Sequence, residues 1–394
     1  MSRPLSEHRS PIIAVAASLV VVIALVEVLF RTVVFPEWKA LSFVQFVKHP
    51  VYGTFQKSNL RVRRYNPLNY DVVNTTNSLG FRDREGGFTE DLAGVWLAGA
   101  SNSYGGFVED DETLAARLQA LGYKVANLSS EGHSWGQQAR VIRHLASQGY
   151  RPQAVIVEMT LNNVLADYRQ AIKDLSAPMG AERKGDASSL SASSRLVGNI
   201  MTLRRGTEVR PIDLKARMIK NSAFYSWLKV EINSIPVLRR LTLNWGLRAD
   251  VARADSAPPD LMEDIPGNPN EVLIDSTADF AAALQSWVAA NLKVPFAIAL
   301  IPSHHHLNPR RFERYAEYLG RKPETLDPKR THRLLLSALK AHGIQVMDME
   351  PVLAASDKFL GFPDDGHMNA IAHDLVAREL AAQIQGRFGL EPEP

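Results

Sequence analysis

The chain has 394 residues, 45% of them apolar, which is enough to bury a full core in one large domain or two small ones. Its 45 Lys and Arg stand against 42 Asp and Glu, a net charge of +3 with no concentrated basic face, so it is not read as a nucleic-acid binder. There is no cysteine, which excludes disulfides, thiolate catalysis and sulfur-ligated zinc while leaving the compartment open.

The first element is an apolar run, PIIAVAASLVVVIALVEVLF at 11–30, continuing to Val34. At 1.5 Å per residue it crosses roughly 30 Å of hydrocarbon. Its one charge, Glu27, lies near the far end. The run is longer than the apolar part of a signal peptide, and no small-x-small cleavage site follows it before Arg31. Residues 11–34 are therefore read as an uncleaved transmembrane anchor and 1–10 as a short cytoplasmic tail. Arg3 and Arg9 precede the run and Arg31, Lys39 and Lys48 follow it, so basic residues do not decide orientation. The short tail favours a body outside the cytoplasm, a periplasmic domain on the inner (plasma) membrane.

Residues 35–90 are rich in turn formers, with strand-length pieces broken by Pro, Asn and Gly, and read as spacer and lead-in. From Gly94 short apolar strands alternate with helical segments, the mark of a parallel sheet covered on both faces. Strands are predicted at 94–100, 124–129, 154–161, 295–302 and 344–349, and helices at about 111–121, 136–148, 276–292, 329–342 and 370–387. The fold class is α/β, a flavodoxin-like, three-layer, five-stranded parallel sheet, with the domain spanning 91–390. An insert at 164–275 interrupts it. Its first part, APMGAERKGDASSLSASS, reads as a loop. Its second part, NSAFYSWLKVEINSIPVLRRLTLNWGLRADVARA, fits a helical lid, a membrane-lying element or an extra helical layer.

Two serine motifs compete for the role of nucleophile. GHSWG at 132–136 has the Gly-x-Ser-x-Gly spacing of an α/β-hydrolase elbow, but only two strands precede Ser134 where that fold needs several. Ser134 reads instead as the N-cap of the helix that follows. Ser101 comes directly after the strand VWLAGA, at the carboxyl end where open parallel sheets bind ligands. A serine hydroxyl needs a base to take its proton, and that base needs an orienting carboxylate. FPDDGHMNAIAH supplies both: in a helical turn Asp364 and His367 share a face, so Asp364 can hold Nδ1 while Nε2 faces Ser101. Asp365 is less well spaced for this. His304-His305-His306 would point to alternate faces of an extended segment with no acidic cluster beside them, so no metal or other cofactor is expected. Ser103 reads as a turn residue and His373 as a packing or surface histidine.

In order, Gly99-Ala100-Ser101, Gly132, Thr160-Leu161-Asn162-Asn163 and Asp364 to His367 resemble the blocks of the SGNH or GDSL hydrolases, and NSLGFRD at 77–83 is similar to a lead-in of tethered members. The resemblance covers about 74–388, with the insert as its weak middle. It implies the SGNH fold, with Ser101 as nucleophile, His367 as base and Asp364 as orienter. It also implies an oxyanion hole of the Ser101 and Gly132 backbone N–H groups and the Asn162 amide. Three positions depart from the pattern: Ala100 for Asp, Thr160 for Gly and Asn163 for Asp. The function implied is a membrane-anchored esterase or O-acetyltransferase acting on O-acyl groups of envelope carbohydrate, with a membrane acyltransferase partner left open. Lipid or thioester cleavage is the alternative within the fold, and a catalytically degenerate carbohydrate-binding or assembly protein the alternative outside enzymes.

Overall fold

The computed structural model describes residues 9–34, 36, 45–66, 68–83, 92–160, 218, 221–235, 237–238, 241, 262, 271–318, 320–363 and 365–393. Two antiparallel hairpins precede the central sheet: β1 (Phe46–His49) with β2 (Gly53–Gln56), and β3 (Arg61–Asn66) with β4 (Tyr70–Thr75). The sheet itself has five parallel strands, β5 (Val95–Ala98), β6 (Val125–Asn127), β7 (Ala154–Thr160), β8 (Phe296–Ile301) and β9 (Val346–Asp348). Their spatial order is β6-β5-β7-β8-β9. Counted from the first sheet strand this is 2-1-3-4-5, the doubly wound order whose direction reverses beside β5.

The strands are continuous apolar runs because both faces are covered. Alternate residues serve different cores: Trp96, Ala98, Val155, Val157, Ile298 and Leu300 enter one, while Val95, Leu97, Ala154, Ile156, Ala297 and Ala299 enter the other. The first core is closed by α4 (Trp135–Ser147), α6 (Glu271–Asn291) and α9 (Arg330–Ala341), and the second by α3 (Leu114–Ala120), α10 (Glu350–Ala354) and α11 (Ala370–Phe388). Each of the five predicted strands is present within two residues of its expected limits. α6 starts five residues earlier than expected, at Glu271. Helix α8 (Pro309–Tyr318), after the short α7 (His304–Leu307), was not anticipated.

Residues 46–83, read from sequence as spacer and lead-in, are built into this body. Tyr52, Phe55 and Phe81 fill the first core, and burying one such ring contributes about 1.5–3 kcal/mol. Arg82 is fully buried, its guanidinium donating to the carbonyls of Gly105 and of Val108, the latter at 2.7 Å, and to Asp110 at 3.1 Å. A charge taken from water is tolerated only with such a set of partners.

At the N-terminus, α1 (Arg9–Leu29) and a π-helical turn, Phe30–Val34, contain a span from Ile13 to Val34 with mean hydropathy 2.8 and none of it buried. This is one helix long and apolar enough to cross a membrane. Of the insert, α5 (Ala223–Ser234) is described and most of the remainder lies outside the described residues.

Two buried histidines bear on stability. Burial pushes His133 down to about 4 and His373 down to about 3. The unfolded chain takes up these protons near pH 6.5, while the fold excludes them until well below that. The folded state then binds fewer protons, so stability falls as pH drops from 6.5 toward 4, by up to about 1.4 kcal/mol per pH unit for each histidine. Urea unfolding at pH 7 and pH 5 is expected to show the loss, and His373→Leu to flatten the slope.

Candidate active site

The turn that carries Ser101 is shaped from beneath. β5 ends at Ala98, and after Gly99 and Ala100 the four-residue helix α2 (Ser101–Tyr104) begins, closed by Gly105 in the left-handed region. Glu158, fully buried in β7, accepts from the Ala100 N–H at 2.9 Å and the Ser103 N–H at 3.3 Å. A Cβ at Gly99 would lie 2.6 Å from the Glu158 carboxylate and 2.7 Å from Ser103 Cβ, so only glycine fits there. Burial pushes the Glu158 carboxyl up, against the pull of those two N–H groups. Ser103 is part of this support, its carbonyl accepting from Asn127 Nδ2 at 3.0 Å.

The histidine arrives on the loop between α10 and α11. Asn369 caps α11 by accepting from Ala372 N, and its amide donates to the carbonyls of Phe359 (2.7 Å) and Gly361 (3.1 Å), which fixes the end of the loop. Met368 N donates to Asn102 Oδ1 at 3.2 Å, tying this loop to the Ser101 turn. His367 Nε2 then lies 2.8 Å from Ser101 Oγ.

On its other side His367 Nδ1 meets Asp365. The helical spacing that favoured Asp364 does not apply, because α11 begins only at Ala370. Asp365 Oδ1 instead accepts from the His367 backbone N–H at 2.9 Å, an Asx turn that carries the same oxygen onto the ring. Asp364 lies outside the described residues. Burial alone would push the Asp365 carboxyl up. The His367 ring and the two hydrogen bonds outweigh it and hold the carboxyl well below the usual range. With Nδ1 engaged by a carboxylate, Nε2 is the nitrogen left to accept the serine proton.

The hairpin β3–β4 walls the site. Phe107 packs on the His367 ring with centroids 4.1 Å apart, and Tyr70 packs on Phe107 at 5.0 Å. The Arg64 guanidinium covers the other part of Phe107 at 4.7 Å and is paired with Glu131. A Cβ at Gly106 would strike both Arg64 and Glu131. Beside the turn is a cavity of about 20 Å³, one water in size, lined by Asn102, Thr160, His304, Leu360, Gly366 and Met368 among others. Phe107→Ala is expected to lower kcat about 10- to 100-fold by freeing the imidazole, with a smaller change in KM and recovery in Phe107→Tyr. Steady-state kinetics of the three proteins check it.

Gly132 sits at φ +72°, in the loop from β6 to α4, where a side chain would be strained. The loop is tied to the Ser101 turn by Ser130 N donating to Gly99 O at 3.2 Å. Thr160 ends β7, and Asn162 and Asn163 lie outside the described residues. Ser134 caps α4 in a capping box with Gln137. The three adjacent histidines part company: His304 lines the cavity, His305 stacks on Tyr315 at 4.3 Å, and His306 meets Glu350 at 3.1 Å. Burial, with Arg311 and His367 nearby, pushes His304 down to about 3. His373 is a buried packing residue.

Sequence reasoning missed Arg64, Tyr70, Phe107 and Glu158. Only Glu158 carried a signal, as a lone acid in the apolar strand AVIVEMT.

No family model and no curated protein matches the chain. A crystal structure matches 76% of this chain and all of its own at 11% identity, with a TM-score of 0.33, a likeness too slight to bear on fold or function.

Proposed function

We propose that this protein is a membrane-anchored serine esterase or O-acyltransferase of SGNH type, working through an acyl-serine intermediate. The observation that carries this reading is His367 Nε2 at 2.8 Å from Ser101 Oγ with Asp365 on Nδ1. Ser101 Oγ attacks the ester carbonyl while Nε2 takes its proton, and the Asp365 carboxylate stabilises the imidazolium. The oxyanion is met by the Ser101 and Gly132 N–H groups and, on the resemblance of its block, by Asn162. The proton then passes from Nε2 to the leaving alcohol, and a water or a sugar hydroxyl repeats the sequence in reverse to release the acyl group. None of the departures at Ala100, Thr160 and Asn163 removes a group from this cycle. Envelope carbohydrate bearing O-acyl groups is the substrate class, with α1 spanning the plasma membrane and the body outside the cytoplasm.

The test is labelling of the detergent-solubilised full chain by a fluorophosphonate probe, alongside p-nitrophenyl acetate turnover. Loss of both in Ser101→Ala and His367→Ala, with Ser134→Ala intact, is the expected result. Loss only in Ser134→Ala overturns the assignment of the nucleophile.

A further inference from the structure

Glu27, the one acidic residue in the apolar run, has a defined task. Its carboxylate accepts from Ser222 Oγ at 2.7 Å, Ala223 N at 2.7 Å and Phe224 N at 3.3 Å, closing the N-terminus of α5. These are the donors that a helix end otherwise leaves open, and the helix dipole favours a negative group there. Arg31 pairs with the same carboxylate at 2.7 Å and also reaches the Asn221 carbonyl. A side chain that would be costly in hydrocarbon is thereby given both charge and hydrogen-bond partners. The contact continues in the Phe30 ring, 5.1 Å from Phe224 and 5.0 Å from Trp227.

Glu27 precedes Val34, the end of the apolar span, by seven residues, about 10 Å along a helix axis. That puts the N-terminus of α5 at the inner limit of the depth, about 5–10 Å, to which interfacial amphipathic helices sink their apolar face. The segment around α5 suits it. Met218 (39% exposed), Ile235 (47%), Val237 (69%) and Leu241 (38%) are uncovered large apolar side chains outside the anchor. Phe224, Tyr225 and Trp227 are of the ring types that collect at membrane surfaces.

We infer that α5 is an interfacial helix clasped to the anchor through Glu27, with the bilayer surface as the partner of its flanking apolar residues. This rests on the reading of α1 as membrane-spanning. At its far end α5 holds the body: Tyr65 Oη donates to Glu231 at 2.8 Å, and Tyr65 adjoins Arg64, which backs the Phe107 wall of the site. Through this bond the β3–β4 hairpin, which walls the His367 pocket, is joined to α5.

The chain has no cysteine, so a single introduced cysteine carries the only label. The full protein is placed in vesicles of phosphatidylcholine and phosphatidylglycerol with a nitroxide at Val237→Cys, at Val20→Cys in the anchor, or at exposed Glu313→Cys on the body. Collision with oxygen, which partitions into lipid, is compared with collision with a water-soluble nickel complex. The ratio at Val237 and Val20 is expected to exceed that at Glu313 about threefold or more. Adding Glu27→Ala is expected to bring Val237 to the Glu313 value and leave Val20 unchanged. Val20 in lipid with Val237 in water overturns the interfacial helix alone, and both in water overturns the anchor with it. A Val237 ratio unaffected by Glu27→Ala overturns the clasp.

Discussion

Ser101→Ala is expected to lower kcat for an activated acetate ester by about 10⁴-fold or more, with KM within about threefold of wild type. The hydroxyl is the atom that forms the covalent bond, so its loss leaves only the oxyanion donors and binding contacts. The side chain is small, and the turn around it is held by the Ala100 and Ser103 N–H bonds to Glu158, which do not involve Oγ. The fold and substrate contacts therefore persist. The double variant Ser101→Ala with His367→Ala is expected to lose no more than either single one, because nucleophile and base act as a unit. Steady-state turnover of the four proteins, with melting temperatures to verify folding, decides it. Losses that multiply would show that His367 serves something other than Ser101.

Asp365→Asn is expected to cost about 10³- to 10⁴-fold in kcat, and Asp364→Asn less than about threefold. An amide at 365 still accepts the His367 backbone N–H, so the Asx turn survives. What it loses is the negative charge that fixes hydrogen on Nδ1 and supports the imidazolium. With only a neutral amide oxygen there, hydrogen is no longer held on Nδ1, and the tautomer protonated on Nε2, which cannot accept from Ser101, gains population. The two substitutions differ by one position and change net charge equally, so a surface electrostatic effect would appear in both. A greater loss in Asp364→Asn would make Asp364 the orienting carboxylate and leave Asp365 a turn residue.

The sheet was legible because a strand covered on both faces must be apolar throughout, and VWLA and FAIALI have no other reading at that length. The meeting of Ser101 with His367 was legible as well, since Ser101 follows the strand VWLA and His367 lies just ahead of the helix that Asn369 caps. The contact of Asp365 with His367 was not. FPDDGHMN offers two aspartates, and choosing between them by helical spacing assumed a helix that starts only at Ala370. The hairpins were obscured for another reason. Arg64 and Glu131 are 67 positions apart, and each alone looks like a solvated charge. Glu27 stood out as a lone acid, yet its partner Ser222 is 195 residues away, and no local pattern joins them.

Arg82 has a practical consequence for where this protein can be cut. Its guanidinium is the internal partner of the Gly105 and Val108 carbonyls and of Asp110, all on the segment that follows Ser101. A truncation starting at residue 91, where the alternating strands and helices suggest a domain edge, would leave those acceptors without their donor and remove Phe55 and Phe81 from the first core. A fragment made without α1 should therefore begin ahead of Phe46, keeping both hairpins as part of the body.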